Sequence, residues 1–349
     1  MKKALFYDPY IGTLGGGERY TFTLAEYLLK NQWLASIVGL TDPLVQQLQN
    51  RLNLDLAQAT PATLPNQKIS LWKMMHQYDL LFWVSDGSIP FMYSKNNILH
   101  FQVPFHNVNG KSFGNLIKFK NINHVVCNSH FTQQVINKEY GLSSIVVYPP
   151  IAVEDFLPGK KENLILTVGR FSQLLQNKRQ DVLIPVFKKL VDQGVNNWRF
   201  VITGATDIGG KEYFNHLKSI SQGYPIELIE NPSFSQLQKL YAKAKIFWYA
   251  AGLGVDDQKE PEKAEHFGIV TVEAMAAGCV PLDYNKGGVR EVIASGKNGY
   301  LWETTNELLL RTKNIINDEK TRKVISEVAQ IDSRKYSKNV FCDSFIKII

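Results

Sequence analysis

Two carboxylates eight positions apart mark the chemistry of this chain: Glu265-His-Phe-Gly-Ile-Val-Thr-Val-Glu273 runs on into Ala-Met-Ala-Ala-Gly278. A helix over 268–277 puts Glu273 on its second turn, leaves Glu265 just ahead of it, and lets Phe267, Val270, Met275 and Ala277 cover one apolar face. The amides at its start, around Gly268 and Ile269, lack partners inside the helix and have the positive end of the helix dipole behind them. Such an end suits an anion or a set of hydroxyls. The spacing alone equally suits a helix-start charge followed by a solvated residue, so the rest of the chain must decide.

A second group of residues carries positive charge. Thr167-Val-Gly169-Arg170-Phe-Ser is followed by Asn177-Lys178-Arg179. A strand that ends in Gly-Arg sets a permanently charged guanidinium at its carboxyl edge, and Lys178 adds a compact ammonium, a pair apt for a diphosphate. Two glycine-rich loops complete the set. Gly15-Gly16-Gly17-Glu18-Arg19 follows the first strand, with Tyr20 where the third glycine of a dinucleotide fingerprint would stand and no Gly-Lys-Ser/Thr to make a Walker loop. It reads as either a ligand loop or a tight turn. Asn285-Lys-Gly287-Gly288-Val-Arg290-Glu291 again offers glycine amides at a helix start.

These residues need elements to hold them. Short apolar runs at 3–8, 35–40, 79–85, 98–102, 124–128 and 144–148 read as strands, with helices over 16–31, 43–52 and 129–139, the alternation of a parallel sheet covered by helices. The breaker-rich stretch 149–161 reads as a linker. A second alternation follows, with strands at 163–168, 198–203, 225–229, 245–249 and 279–282 and helices near 179–193, 209–221, 233–244, 268–277 and 303–330. Two such α/β halves predict a ligand cleft where the carboxyl ends of the strands face each other. Domain limits of 1–155 and 156–331 follow.

Length and charge bound the rest. A chain of 349 residues exceeds the usual single core. The start is strand-like, without a signal peptide, and no apolar run is long enough to cross a bilayer, which predicts a cytoplasmic protein. Three cysteines with no metal-ligand spacing agree with a reducing compartment. The net charge of +7 admits nucleic acid, an acidic membrane surface or a phosphate-bearing small molecule. Nucleic acid is set aside, because there is no dense basic tract, RNA-binding signature or zinc-finger spacing.

Taken in order along nearly the whole chain, the glutamate pair, the Gly-Arg-Phe strand end with its following Lys, the amino-terminal glycines with Glu-Arg and the later Gly-Gly-Val-Arg-Glu resemble retaining glycosyltransferases of the GT-B fold, family GT4. The resemblance implies two Rossmann-like domains and a nucleotide-diphosphate sugar, UDP- or GDP-linked, as donor, with no cofactor and no metal. It implies that Glu273 holds the donor ribose, and that Glu265 with His266, Phe267, Gly268 and Ile269 meets the donor sugar. Arg170 and Lys178 neutralise the diphosphate, and Gly16 and Gly17 close over it. It also implies a catalytic histidine near the anomeric centre, His100, with His106 as its rival, and a carboxy-terminal helix, about 332–349, crossing back onto the first domain. Arg179 beside Lys178 leaves open which cation meets the diphosphate. The charged insert 253–264 leaves the wall of the sugar pocket undefined. The fold also hosts nucleotide-sugar epimerases and phosphorylases, and a non-catalytic sugar-nucleotide-binding subunit is the reading from outside enzymology.

The acceptor is a glycan, a lipid-linked glycan or a small molecule. Asp86, at a strand end in Val84-Ser-Asp-Gly, suits orienting an acceptor hydroxyl and equally suits a turn. Residues 109–120 mix lysines with aromatics and aliphatics, which fits either peripheral membrane contact or a helix packed inward.

Overall fold

The computed structural model describes residues 1–13, 15–172, 177–206 and 209–349. They form two compact units, Met1–Pro150 with Lys338–Ile349, and Ile151–Ser337. The first contains β1 (Lys3–Tyr7), α1 (Gly16–Lys30), β2 (Leu34–Val38), α2 (Asp42–Leu52), β3 (Thr60–Ala62), α3 (Lys68–Met75) and β4 (Leu80–Val84). It continues with β5 (Asn96–Phe101), α4 (Phe113–Phe119), β6 (His124–Cys127), α5 (His130–Tyr140) and β7 (Ile145–Val146). The second runs through β8 (Glu162–Val168), α6 (Gln180–Asp192), β9 (Arg199–Gly204), α7 (Gly210–Ile220), β10 (Ile226–Glu230), α8 (Phe234–Lys243) and β11 (Ala244–Tyr249). Then come α9 (Ile269–Ala276), β12 (Val280–Tyr284), α10 (Val289–Val292), β13 (Tyr300–Trp302), α11 (Thr305–Asn317) and α12 (Glu319–Ser333). The chain closes with α13 (Lys338–Ile346), which belongs to the first unit.

Both sheets are parallel. Their orders are β3-β2-β1-β4-β5-β6-β7 and β10-β9-β8-β11-β12-β13. The order reverses between β1 and β4 in one sheet and between β8 and β11 in the other, and the crevice beyond the carboxyl ends at such a reversal is where open α/β sheets bind ligands. Continuous apolar runs such as Leu80-Leu-Phe-Trp-Val84 suit strands covered on both sides. Successive side chains feed opposite cores: Phe6 and Phe82 join one buried cluster and Leu5 and Leu81 the other. Helix ends follow local chemistry. The Ser129 hydroxyl accepts from the Thr132 amide at the start of α5, and Gly141 ends that helix at φ 66°.

Several sequence expectations shift. The stretch 303–330 is two helices, because the Asp318 carboxylate accepts from the Thr321 amide at 2.9 Å and caps a new start. Part of the expected linker is core of the second unit: Ile151, Ala152, Val153 and Phe156 are buried, and Phe156 meets Phe234 and Tyr241 edge-on. The return to the first unit is shorter than expected. α12 stays in the second unit, and only Lys338–Ile349 cross, with Phe341 and Phe345 edge-on to Tyr20 at 4.9 and 5.9 Å. Among the described residues no helix is long and apolar enough to cross a membrane.

Candidate active site

In the second unit, the loop after β8 is fastened from beneath by Gln180, a buried amide on the first turn of α6. Its Nε2 donates to the carbonyls of Gly169 and Arg170 at 3.2 and 3.3 Å, while the Tyr213 hydroxyl donates to its Oε1. Gly169 has no room for a side chain, since a Cβ there would stand 2.7 Å from Cγ of Lys178. The lysine stem therefore lies on the bare strand end. Arg170 is exposed beside it.

Lys178 reaches Glu265. Its Nζ donates to Oε2 at 2.8 Å, the Tyr249 hydroxyl at the end of β11 donates to the same oxygen at 2.5 Å, and the ammonium lies 5.4 Å from the Tyr249 ring centre. Burial alone would raise the Glu265 carboxyl. The Lys178 charge and the two hydrogen bonds outweigh it and hold the group well below the usual carboxylate range. Tyr249 moves the other way, pushed up by burial and by the adjacent Glu265, so it remains a neutral donor. The side chain of Glu265 is 13% exposed, so the ion pair is enclosed yet not sealed.

The backbone of Glu265 rests on Gly287 and Gly288. The Gly288 amide donates to the Glu265 carbonyl at 2.7 Å, and a Cβ on either glycine would stand about 2 Å from the carbonyl oxygen of Glu265 or His266. The Gly287 amide donates to Oδ2 of Asp257, which also accepts from Arg290, while Lys286 approaches Oδ1. Both glycine amides are thus used inside the protein. The reading of this loop as amides offered to a ligand is corrected by that geometry. The insert 253–264 is likewise tied down through Asp257, whose charge is buried against two cations. Arg179 is committed elsewhere, paired through both η and ε nitrogens with Asp181 at 3.2 Å and bonded to the Leu253 carbonyl. Lys178, not Arg179, is thus the cation hydrogen-bonded to Glu265.

α9 begins after Gly268, at φ 104°, where a Cβ would also crowd Val289 at 3.0 Å. His266 and Phe267 are buried, the latter edge-on to Tyr336, so the segment presents backbone rather than these side chains. Glu273 is nearly enclosed and accepts from the hydroxyl of fully buried Tyr241 at 3.1 Å. Asp283, at the end of β12, is fully buried. Thr271 donates to its Oδ2 at 2.5 Å, Oδ1 has no partner among the described residues, and burial pushes its carboxyl well above the usual range.

The switch point of the first unit differs. Asp8, just past β1, is buried and accepts from the Tyr10 amide and the Thr21 hydroxyl, both at 3.0 Å. Burial and nearby Glu18 push its carboxyl up to about 6 against those bonds. Glu18 folds back on the glycine loop, accepting from the Gly15 amide at 3.0 Å and the Thr13 hydroxyl at 2.5 Å. Gly16 is the exposed first residue of α1, and Gly17 is bare because Gln102 lies where its Cβ would be. Asp86 is exposed, and the Ser88 hydroxyl and amide hold its carboxyl below the usual range. Tyr7 and Trp83, paired across β1 and β4, stack at 3.9 Å and 29°, and both are partly exposed. Burial and the neighbouring Asp86 and Asp8 push the Tyr7 and Tyr10 hydroxyls up.

His100 lies elsewhere. Its ring has no exposed surface, stacks 4.0 Å from Tyr20, and sets Nδ1 3.2 Å from the Val126 carbonyl. Burial pushes its pKa down to about 3. A neutral ring inside the sheet core has no open edge for a substrate, against its expected place at the anomeric centre. His106, in the loop after β5, has Nε2 3.7 Å from Glu139. Sequence reasoning missed Gln180, Tyr241, Tyr249 and Asp283. Asp283 alone left a signal, an acid inside the otherwise apolar run Val280-Pro-Leu-Asp-Tyr.

Two parallel-sheet units of this topology are the GT-B architecture of glycosyltransferases. HepE from Anabaena, solved in complex with UDP and glucose, matches with a TM-score of 0.72 over 99% of both chains at 17% identity. The family model for glycosyl transferases group 1 fits residues 150–332, just over half of the chain, and the chain belongs to that family. It is 24% identical over 362 residues to an uncharacterized glycosyltransferase of Haemophilus influenzae, covering 96% of each. It is also 24% identical over 264 residues to the GDP-Man:Man(3)GlcNAc(2)-PP-Dol alpha-1,2-mannosyltransferase of Dictyostelium discoideum, covering 70% of this chain. The chain spans 50% of that larger protein.

Proposed function

We propose that this chain moves a sugar from a UDP- or GDP-sugar to an acceptor hydroxyl, with retention at the anomeric carbon and without a metal. Supporting the reading most directly is the Lys178–Glu265–Tyr249 cluster at the switch point of the second sheet. Lys178 and Arg170 bind the diphosphate and stabilise its charge as it leaves. Glu265 and the first amides of α9 bind the donor sugar, and Glu273 binds the ribose. The sugar–phosphate C–O bond breaks as the acceptor oxygen bonds the same face of the anomeric carbon, and the acceptor proton passes to the departing phosphate oxygen. No side chain is asked to form a covalent intermediate.

In the first unit, Asp86 binds an acceptor hydroxyl, and the Tyr7–Trp83 stack receives the apolar face of an acceptor ring. His100 is left out of this machinery. The acceptor is a glycan, free or lipid-linked, or a small glycoside. Metal independence is supported by the sequence, which has no Asp-x-Asp triplet; the two cations take the ion's part.

A panel of UDP- and GDP-sugars assayed for nucleotide diphosphate release tests the donor class. The anomeric coupling constant of the product tests retention. Release from no donor, inversion at the anomeric carbon, or activity lost to EDTA and restored by magnesium would each overturn the corresponding part.

A further inference from the structure

The first unit carries an apolar surface outside the site described above. α3 presents Ile69 and Trp72, the loop between β4 and β5 presents Phe91, and α4 presents Phe113, Leu116 and Ile117. Ile69 and Phe113 are 72% and 78% exposed, and the other four lie between 44% and 49%. α4 fully buries none of its residues; it packs inward through Phe119, edge-on to Tyr140, and leaves Phe113, Leu116 and Ile117 outward.

The three elements make one surface. The Trp72 ring lies 4.1 Å from His76, His76 lies 6.0 Å from Tyr93, and Tyr93 lies 6.1 Å from Phe91. The Lys118 ammonium on α4 closes the chain, 5.3 Å from the Phe91 ring centre and donating to the Ile89 carbonyl at 2.7 Å. A patch joined across helix, loop and helix is larger than the scattered apolar residues any surface carries.

Its charge has one sign. Lys68, Lys73, Lys111, Lys118 and Lys120 stand on or beside these elements, and none of the five forms an ion pair among the described residues. No Asp or Glu occurs in 56–78 or in 87–138. Aromatic and aliphatic tips ringed by lysines that no described carboxylate neutralises match a surface that is apolar within and anionic at its face, and long lysine stems can lie along the first while their heads meet the second.

We propose that α3, the Phe91 loop and α4 together form a docking face for an anionic lipid bilayer. The test is flotation of the full chain with vesicles of phosphatidylcholine alone and of phosphatidylcholine mixed with phosphatidylglycerol. Wild type floats with the mixed vesicles, floats little with the neutral ones, and is released by high salt. Ile69→Ser with Trp72→Ser, and separately Phe113→Ser with Leu116→Ser, each reduce binding roughly tenfold or more, because both pairs belong to one face. These side chains are exposed, so thermal unfolding and nucleotide diphosphate release stay near wild type. Failure of wild type to float with anionic vesicles overturns the proposal, as does flotation unmoved by either pair. Loss with the α4 pair alone overturns the composite face. Self-association in sedimentation velocity that both pairs abolish, without vesicle binding, assigns the face to a second copy instead.

Discussion

At the switch point of the second sheet a carboxylate, Glu265, meets an ammonium. At that of the first sheet a carboxylate, Asp8, meets an amide, a hydroxyl and the neighbouring carboxylate Glu18. Both groups are enclosed, and burial pushes both up, yet the first ends below the carboxylate range and the second near neutrality. The difference lies in what stands beside each group. Lys178 gives the second unit a fixed positive charge paired with Glu265, whereas the first unit offers the partly exposed Tyr7–Trp83 stack beside the exposed carboxylate of Asp86. Charge belongs where a diphosphate leaves, and hydrogen-bonding groups beside aromatic faces belong where a neutral hydroxyl must be oriented.

The harshest test of that contrast removes the charge. Arg170→Ala with Lys178→Ala should lower turnover by at least a hundredfold, because stabilisation of a leaving charge is worth several kcal/mol. The single variants should differ in kind. Arg170 is exposed, and its loss should cost less stability than the loss of the enclosed Lys178. Lys178→Ala strands the enclosed Glu265 carboxylate and should cost about 3 kcal/mol of stability as well. Near-normal turnover in the double variant, measured as nucleotide diphosphate release, removes the diphosphate role from both residues.

The two carboxylates should also answer pH with opposite signs. Asp8, raised to about 6 from 3.8, contributes stability below the unfolded value that is lost as pH rises through 6. Asp8→Asn, which cannot ionise, should therefore gain on wild type by roughly 3 kcal/mol between about pH 4 and pH 7. Glu265 is lowered from 4.5, so its stability is present above that value and lost as pH falls below it. Glu265→Gln should be the less stable partner at pH 7 and should close the gap in acid. Denaturant unfolding of the three proteins across this range decides it, and parallel pH slopes for the two variants would falsify the electrostatic contrast.

The Rossmann-like alternation was legible because parallel strands buried on both faces leave long apolar runs, and Gly or Pro punctuates them. β3 and β13 were not, since each has three residues, and Pro61 makes an edge strand read as a loop. The Glu265 and Glu273 pattern and the Gly169-Arg170 strand end stood out as residues of unusual type at element ends. Tyr249, Gln180 and Tyr241 did not. An aromatic at a strand end, or an amide on a helix, has the same sequence signature whether it packs or orients a carboxylate, and only the fold reveals which. His100 shows the converse. A histidine in an apolar strand near a strand end suits a reacting edge, yet strand alternation turns its ring into the core against Tyr20 and Phe82.

Within the second unit, Glu273 and Glu265 should separate nucleotide from sugar. Glu273→Gln should weaken nucleotide diphosphate binding by ~1.5–3 kcal/mol, as expected for the loss of a charged acceptor. Glu265→Gln should spare that binding and depress transfer. Calorimetry with the nucleotide diphosphate, beside turnover with the intact donor, separates the two. Equal losses of nucleotide affinity would remove the division.

The smallest effect belongs to the first unit and probes its neutral half of the contrast. Trp83 stacks on Tyr7 at 3.9 Å and keeps part of its surface open at the carboxyl edge, beside the Asp86 turn. If an acceptor ring lies there, Trp83→Ala removes one aromatic face, worth ~1 kcal/mol, and the acceptor KM should rise roughly fivefold. Trp83→Phe should recover most of that loss, because it restores a face without the indole N–H. Nucleotide diphosphate affinity should stay at the wild-type value in both variants, because the proposed donor site lies in the second unit. An unchanged acceptor KM in Trp83→Ala, or a loss confined to the donor, would show that the aromatic pair serves the sheet and not the acceptor.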